Sequence, residues 1–301
     1  MGKVVLIGCG NVGMSFAYAL ATSKSKVKDL VLIDINHAKA EGDAIDLLHA
    51  AVYNTNRMNI KAGDYSDCNN ADIICICAGH NQMPGQTRAD LVRANFEIMR
   101  QIVAGVSTTN FKGIYVVATN PVDVMTYFVQ KLSGLPHKKV IGSGTTLDTA
   151  RLRFLIGEEL NVHPRTVHSY VLGEHGDTAF VPWSLSYIGL SKINLYLNPD
   201  QQSRILYDVR NSAYDIINKK GSTYYGIGIC LKDIIIAIME DARLIKTISC
   251  YDKRSDTYYG LPAILGKDGA NPTQRLDLDQ AERDALDKTI FALRGIIAQV
   301  K

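Results

Sequence analysis

The chain has 301 residues, more than one hydrophobic core usually organises, which points to one large or two smaller domains. With 33 Lys plus Arg against 30 Asp plus Glu, the net charge of +3 is too small for an electrostatic case for nucleic acid or an anionic membrane, so the expected partner is a small molecule. No apolar run approaches the ~20 residues that cross a bilayer, and six cysteines (Cys9, Cys68, Cys75, Cys77, Cys230, Cys250) without a CxxC pair or a metal-binding spacing, behind no signal peptide, read as free thiols in a reducing cytoplasm.

In chain order, the first half alternates short β-branched runs with helical patterns. "KVVLIG" reads as a strand that leads through "GCGNVG", residues 8–13, into a small-residue helix over 11–22. Glycine triplets also occur in ordinary turns. Between a strand and a helix, however, Gly8 permits the tight turn, Gly10 lets the backbone approach a pyrophosphate, and Gly13 lets helix and strand pack closely. The next run, "DLVLIDI", carries Asp34 near its end, 21 residues after Gly13. A carboxylate there accepts hydrogen bonds from ribose hydroxyls and repels a 2′-phosphate, which predicts NAD binding in preference to NADP. The competing use of Asp34 is to cap the following helix.

"DIICICAG" and "GIYVVATN" add two strands, with a helix over 91–109 between them. Continuous apolar strands separated by helices predict a parallel sheet covered on both faces. Beyond "IICICAG" lies the polar stretch "GHNQMPGQTRADL" with Arg88, where doubly wound folds place their ligands. A solvated arginine at a helix start is its plainer use. The texture changes after "KVIGSG", which puts a boundary near Gly142. A helix over 146–160 carries Asp148 and Arg151 three residues apart and so on one face, either as a surface ion pair or as part of a site.

Shorter strands are expected around "TVHSYVLG" and "FVPWSLSYIG", with "LGEHGDT" between them presenting His175 between Gly173 and Gly176. Long helices follow from about residue 199, then paired strands "ISCYD" and "YYGLPAILG". A last amphipathic helix begins after "LDLD", with Leu286, Ile290, Leu293, Ile297 and Val300 every three or four residues.

On "GCGNVG", "CAGHNQMPGQTR", "VVATNPVDV", "GSGTTLDTARLR", "GEHGDT" and "GSTYYGIG", in that order over essentially the whole length, the chain resembles the L-lactate dehydrogenase and lactate-dehydrogenase-like malate dehydrogenase family. The resemblance implies an α/β fold, with a doubly wound parallel Rossmann sheet that binds NAD over residues 1–142 and a C-terminal α+β catalytic domain over 143–301. It implies that His175 is the acid/base, Asp148 its orienting carboxylate, and Arg88, on a lid over the cofactor, the group that polarises the substrate carbonyl. Arg151 would bind the substrate carboxylate, with Gln82, Asn120 and Thr223 around the substrate. Against NAD it places Asn11 and Val12 beside the three glycines and Asp34, then Ala78 and Gly79, with Asn120 and Ile227 near the nicotinamide.

These residue types suit the chemistry. Reducing a 2-keto acid needs a hydride for carbon, which the cofactor supplies, and a proton for oxygen, which the protein must supply. Histidine, with an ordinary pKa of ~6.5, keeps both protonation states accessible, and a hydrogen-bonded aspartate stabilises the imidazolium and fixes its tautomer. The planar fork of arginine matches a carboxylate in two parallel hydrogen bonds.

The discriminating lid position of the family falls on Gln82, where malate dehydrogenases of this type have arginine. A neutral glutamine would leave the second carboxylate of oxaloacetate unpaired, so pyruvate is the expected substrate. Met83 and Gln86 stand where bacterial lactate dehydrogenases often carry lysine and glutamate, which keeps L-2-hydroxyisocaproate dehydrogenase as the alternative. A catalytically silent NAD-binding protein would tolerate loss of the acid/base pair, and an NAD-dependent glycosidase would need metal ligands that do not assemble here. Arg153 and His168 match positions that bind fructose 1,6-bisphosphate in allosteric bacterial members, an expected effector shared across a subunit interface. The chain starts almost at its first strand, without the N-terminal arm of the vertebrate enzymes, so a homotetramer and a homodimer both stay open.

Overall fold

The computed structural model describes residues 2–53, 57–80, 88–272 and 276–300, with Arg88 described by its backbone alone. The first half contains β1 (Lys3–Ile7), α1 (Asn11–Ala21), β2 (Asp29–Ile33), α2 (His37–Ala51), β3 (Asn59–Ala62), β4 (Ile73–Ile76), α3 (Arg88–Ser107), β5 (Ile114–Val117), α4 (Val122–Ser133) and β6 (Val140–Gly142). The strands pair in parallel in the order β3-β2-β1-β4-β5-β6. The order reverses between β1 and β4, so the carboxyl ends of those strands frame a crevice.

Strand β1 shows why these sequences are apolar at every position. Val4 and Leu6 pack on the face covered by α1 and α2, Val5 and Ile7 on the face covered by α3 and α4, and none of the four is more than 3 % exposed. Strand β3, which the apolar pattern does not announce, is an edge strand with only Ile60 buried.

The second half contains α5 (Thr146–Leu160), β7 (Val167–His168), β8 (Tyr187–Ile188), β9 (Ser191–Lys192), α6 (Pro199–Lys220), α7 (Tyr225–Met239), β10 (Leu244–Asp252), β11 (Thr257–Gly266), β12 (Gly269–Pro272) and α8 (Gln280–Ala298). The expected pairing of β10 with β11 is antiparallel, with Cys250 opposite Tyr259. Strand β10 also lies antiparallel to β6 through Ser249 and Gly142, so this hairpin extends the first sheet instead of forming one of its own.

The strands expected around "TVHSYVLG" and "FVPWSLSYIG" shrink to two-residue β7 and β8. Their apolar residues are still buried: Val167, Val171, Ala179 and Val181 form a core with Leu152 and Ile156 of α5 and Ile205 of α6. Glycines and Pro182 interrupt the ladder there, and packing against helices takes the place of pairing. Helix α8 starts at a reciprocal cap, with Asp279 accepting from the Glu282 N–H (2.9 Å) and Glu282 accepting from the Asp279 N–H (3.0 Å). No helix among the described residues is long and apolar enough to cross a membrane.

Candidate active site

At the crevice, the turn from β1 to α1 requires glycine for steric reasons. Gly8 has φ +101°, and a Cβ there would collide with the backbone nitrogen of Ala78 at the end of β4; a Cβ on Gly13 would collide with the Gly8 carbonyl. A Cβ on Gly10 would meet nothing within 4 Å, and α1 starts at Gly10 without a side-chain cap. The positive helix end at Gly10 and Asn11 therefore borders open space, which fits the diphosphate of a dinucleotide.

Asp34 does not cap α2, because Asn36 does so by accepting from the Lys39 N–H. Its Oδ2 accepts from the Cys9 N–H (2.7 Å) and its Oδ1 from the Asn36 N–H (2.9 Å), which fix the carboxylate beside the glycine turn. The Ala78 backbone lies against Gly8, and Gly79 after it is exposed. The Thr119 hydroxyl donates to the Ala78 carbonyl (2.6 Å), which ties the end of β5 to the end of β4.

A residue that sequence reasoning missed, Asn95 of α3, is fully buried and ties His80 to Asn120. It accepts from the His80 N–H (2.7 Å) and donates to the carbonyls of His80 (3.2 Å) and Asn120 (2.7 Å). Asn120 is exposed and precedes a cis peptide to Pro121. Gln82, like Met83 and Gln86, lies outside the described residues; Arg88 is the first residue of α3, and its side chain is not among those described.

The acid/base candidates converge from two segments. His175 Nδ1 is 2.6 Å from Asp148 Oδ2, and Arg151 Nη1 is 3.1 Å from Asp148 Oδ1. The Asp148–Arg151 pair is not a surface ion pair, since the two side chains are only 9 % and 12 % exposed. The His175 side chain is 28 % exposed, enough to meet a ligand while its other edge is held. With a carboxylate at Nδ1, that nitrogen carries a proton and Nε2 is left for chemistry.

Two opposed effects set the proton balance of this pair. The charge on Asp148 raises His175 and burial works against it, with the net result that the histidine is raised to about 8. Burial would raise Asp148, but the charges and hydrogen bonds of His175 and Arg151 outweigh it and hold the carboxyl below its ordinary range.

The loop that carries His175 is fixed at its base. Gly173, at φ +89°, exchanges hydrogen bonds with Gly260 of β11 (3.0 and 2.8 Å), and Leu172 does the same with Phe180 (2.8 and 3.0 Å). The His175 N–H donates to Oδ2 of Asp123 (2.8 Å), in the first turn of α4, a second carboxylate neighbour that spacing did not reveal. Thr223 sits half-buried in the α6–α7 loop, and Ile227 packs at the start of α7. That loop reaches the glycine turn through the Asn11 amide, which donates to the Ser222 hydroxyl (3.2 Å), and its Gly226 abuts Leu147, the neighbour of Asp148.

Arg153 and His168 are not brought into contact. Arg153 donates to the Ser169 carbonyl (3.1 Å) and lies over the Tyr170 ring at 4.7 Å, while His168 is exposed on β7. Among the described residues, no group of His, Cys, Asp and Glu forms a metal cluster.

The sequence model of the lactate/malate dehydrogenase NAD binding domain matches residues 2–142, and that of the alpha/beta C-terminal domain matches residues 145–301. The chain is 42 % identical to L-lactate dehydrogenase 2 of Bacillus anthracis, over 100 % of this chain and 98 % of that one. It is 43 % identical to the L-lactate dehydrogenase of Geobacillus stearothermophilus, over 99 % and 96 %. Among solved structures, a lactate dehydrogenase from a Medee basin deep-sea metagenome library superimposes with a TM-score of 0.96 at 42 % identity, covering 99 % of this chain and 98 % of that one. The ligands-bound form of minor L-lactate dehydrogenase from Enterococcus mundtii gives 0.95 at 39 % identity, covering 100 % and 98 %.

Proposed function

The chain belongs to the lactate/malate dehydrogenase family, and on that premise we propose that it catalyses the reversible reduction of pyruvate to L-lactate with His175 as proton donor and acceptor. It is an NAD-dependent oxidoreductase. Bound NADH supplies the hydride for the keto carbon. The observation that carries the residue assignment is the His175–Asp148–Arg151 chain of contacts, at 2.6 and 3.1 Å.

His175, charged at neutral pH, passes the Nε2 proton to the carbonyl oxygen and recovers it in the reverse direction. Asp148 holds the ring at Nδ1 and stabilises the imidazolium. Arg151 has Nη1 on Asp148, and the rest of its fork is available to orient the substrate carboxylate. Arg88, at the start of α3, stabilises charge growing on the oxygen. Gly8, Gly10, Asn11, Val12 and Gly13 receive the diphosphate, and Asp34 the ribose of the adenosine. Ala78, Gly79, Asn120 and Ile227 border the nicotinamide half, with Thr223 beside the substrate.

Gln82, being neutral, offers no charge to a second carboxylate, which favours a monocarboxylate. The relatives named above do not favour L-2-hydroxyisocaproate dehydrogenase. The test is the ratio of kcat/KM among pyruvate, 4-methyl-2-oxopentanoate and oxaloacetate under saturating NADH. A preference for pyruvate is expected, and a preference for either competitor overturns the substrate assignment.

Assembly and regulation form a second part of the proposal. Ile45 and Leu48 of α2, Ile229 of α7 and Ile245 of β10 are 41–54 % exposed, which supports burial against further copies in a homodimer or homotetramer. Arg153 and His168 are proposed to bind fructose 1,6-bisphosphate between subunits. The effector is ruled out if the bisphosphate changes neither the pyruvate saturation curve nor the mass in light scattering. A cytoplasmic location belongs to the same reading, supported by six reduced thiols, five of them buried.

A further inference from the structure

His175 is held by two carboxylates. Asp148 meets the ring, while Asp123 meets the main chain, with Oδ2 2.8 Å from the His175 nitrogen. Asp123 is 2 % exposed, and its Oδ1 is buried with no hydrogen-bond partner among the described residues. The neighbouring Ser249 hydroxyl, on β10, is likewise buried, near enough to lower the carboxyl of Asp123 without a well-formed hydrogen bond to it.

A single backbone N–H does not need a buried anion, because a neutral amide oxygen satisfies it equally well and burial of charge is costly. Placing an aspartate there has one chemical consequence that an asparagine would not have, namely a negative charge next to the imidazolium. Asp123 sits in the first turn of α4, where the positive helix end helps to keep it ionised.

We propose that Asp123 is a positioning residue for the proton transfer: its Oδ2 fixes the main chain of His175 so that the ring stays on Asp148, and its charge helps to hold the proton on that ring. The inference rests on the assignment of His175 as the acid/base. The other charged or titratable groups that face this pair are Asp148 and Arg151 on α5, Glu174 on the loop and Cys250 on β10. Burial raises Asp123 to about 6 against the lowering influence of the Ser249 hydroxyl and the His175 N–H, so it is ionised over the range in which His175 titrates.

Asp123→Asn separates charge from hydrogen bonding, because its amide oxygen still accepts from the His175 N–H. The experiment is the pH profile of kcat/KM for pyruvate, with the Kd for NADH measured alongside. The variant is expected to keep its NADH affinity and its rate at pH 6, and to lose activity earlier as pH rises, with a roughly 1.5- to threefold deficit at pH 8. A profile that superimposes on the wild type, or a rate lowered equally at every pH, overturns the role of the charge.

If the variant does not fold, the same coupling is read in the wild-type enzyme by NMR, with labelled histidine rings and aspartate carboxyls. A carboxyl that titrates near 6 and shifts the His175 ring resonance is expected. A ring resonance indifferent to every such carboxyl overturns the proposal. Failure of the underlying assignment is distinguishable, since His175→Asn would then retain wild-type turnover whatever Asp123 does.

Discussion

Replacing Asp148 with asparagine removes the largest influence on the proton of His175. The histidine stands at about 8 because the Asp148 charge outweighs burial, which acts in the opposite direction. Without that charge, it falls to its ordinary 6.5 or below, a change of at least about 1.5 units, or ~2 kcal/mol. At pH 7.5 the protonated fraction then drops from about three-quarters to about one-tenth. Asparagine also offers an N–H to Nδ1, which favours the wrong tautomer and compounds the loss. A fall in kcat/KM for pyruvate of roughly 10²- to 10⁴-fold is expected, in the range of general acid catalysis. The assay is a pH profile of initial rates at saturating NADH, with NADH binding followed by fluorescence. Asp148→Asn with wild-type kcat/KM and an unchanged inflection near pH 8 would refute the coupling.

Arg151→Lys retains the charge but loses the fork. One lost charge-assisted hydrogen bond is worth ~1.5–3 kcal/mol, so kcat/KM for pyruvate should fall roughly 10- to 150-fold with the Kd for NADH unchanged; an unaltered kcat/KM would remove Arg151 from the substrate site. Asp34→Ser removes the charge that opposes a 2′-phosphate, and the NADPH:NADH ratio of kcat/KM should rise roughly tenfold or more, ~1.4 kcal/mol; no change would separate Asp34 from the ribose. The stabilising contribution of the raised His175 is complete below its ordinary 6.5 and lost as pH rises through about 8, while that of the depressed Asp148 is lost only as pH falls below the ordinary 3.8. Tm should therefore decline between pH 6.5 and 8.5, and Asp148→Asn should flatten that decline in differential scanning calorimetry.

The parallel half of the fold was legible because each buried strand is apolar on both faces and each connection is long enough for a helix. Helix α5 occupies the expected 146–160 for the same reason, with a clear start after the glycine pair at 142 and 144. The second half was harder to read. Its apolar residues, Val171 and Val181 among them, are buried by packing on α5 and α6 and not by a ladder, and period-2 patterning cannot distinguish these cases. Nor does any local signal say that β10 will continue the first sheet beyond β6, since that pairing depends on residues 107 positions apart, Gly142 and Ser249.

In the site, local rules exposed Gly8, Gly13 and the Asp148–Arg151 spacing, because each is a relation between near neighbours on the chain. The contacts that define the environment of His175 are of another kind: Asp148 lies 27 residues away and Asp123 52. Asp123 stood inside the quoted stretch "VVATNPVDV", yet nothing in that stretch distinguishes an N-terminal helix aspartate that only favours the dipole from one that also accepts from a distant main chain. Asn95 was hidden likewise, as a polar residue on an otherwise ordinary amphipathic helix. A buried polar side chain in either position is explicable only once its partner is known.

The seam between the halves explains why these partners meet at His175. Its ring is held from α5, its main chain from α4, and the base of its loop from β11 through the Gly173–Gly260 exchange. Helix α4 belongs to the parallel half, whereas α5 and β11 follow it, and β11 reaches the parallel sheet only because β10 pairs with β6. His175 is thus placed by both halves at once. A shift of β10 along β6 by a single position would carry the β11 anchor with it and reverse which side chains of β10, Ser249 among them, face α4. Strand register at Ser249 and Gly142 is therefore part of what fixes the surroundings of His175.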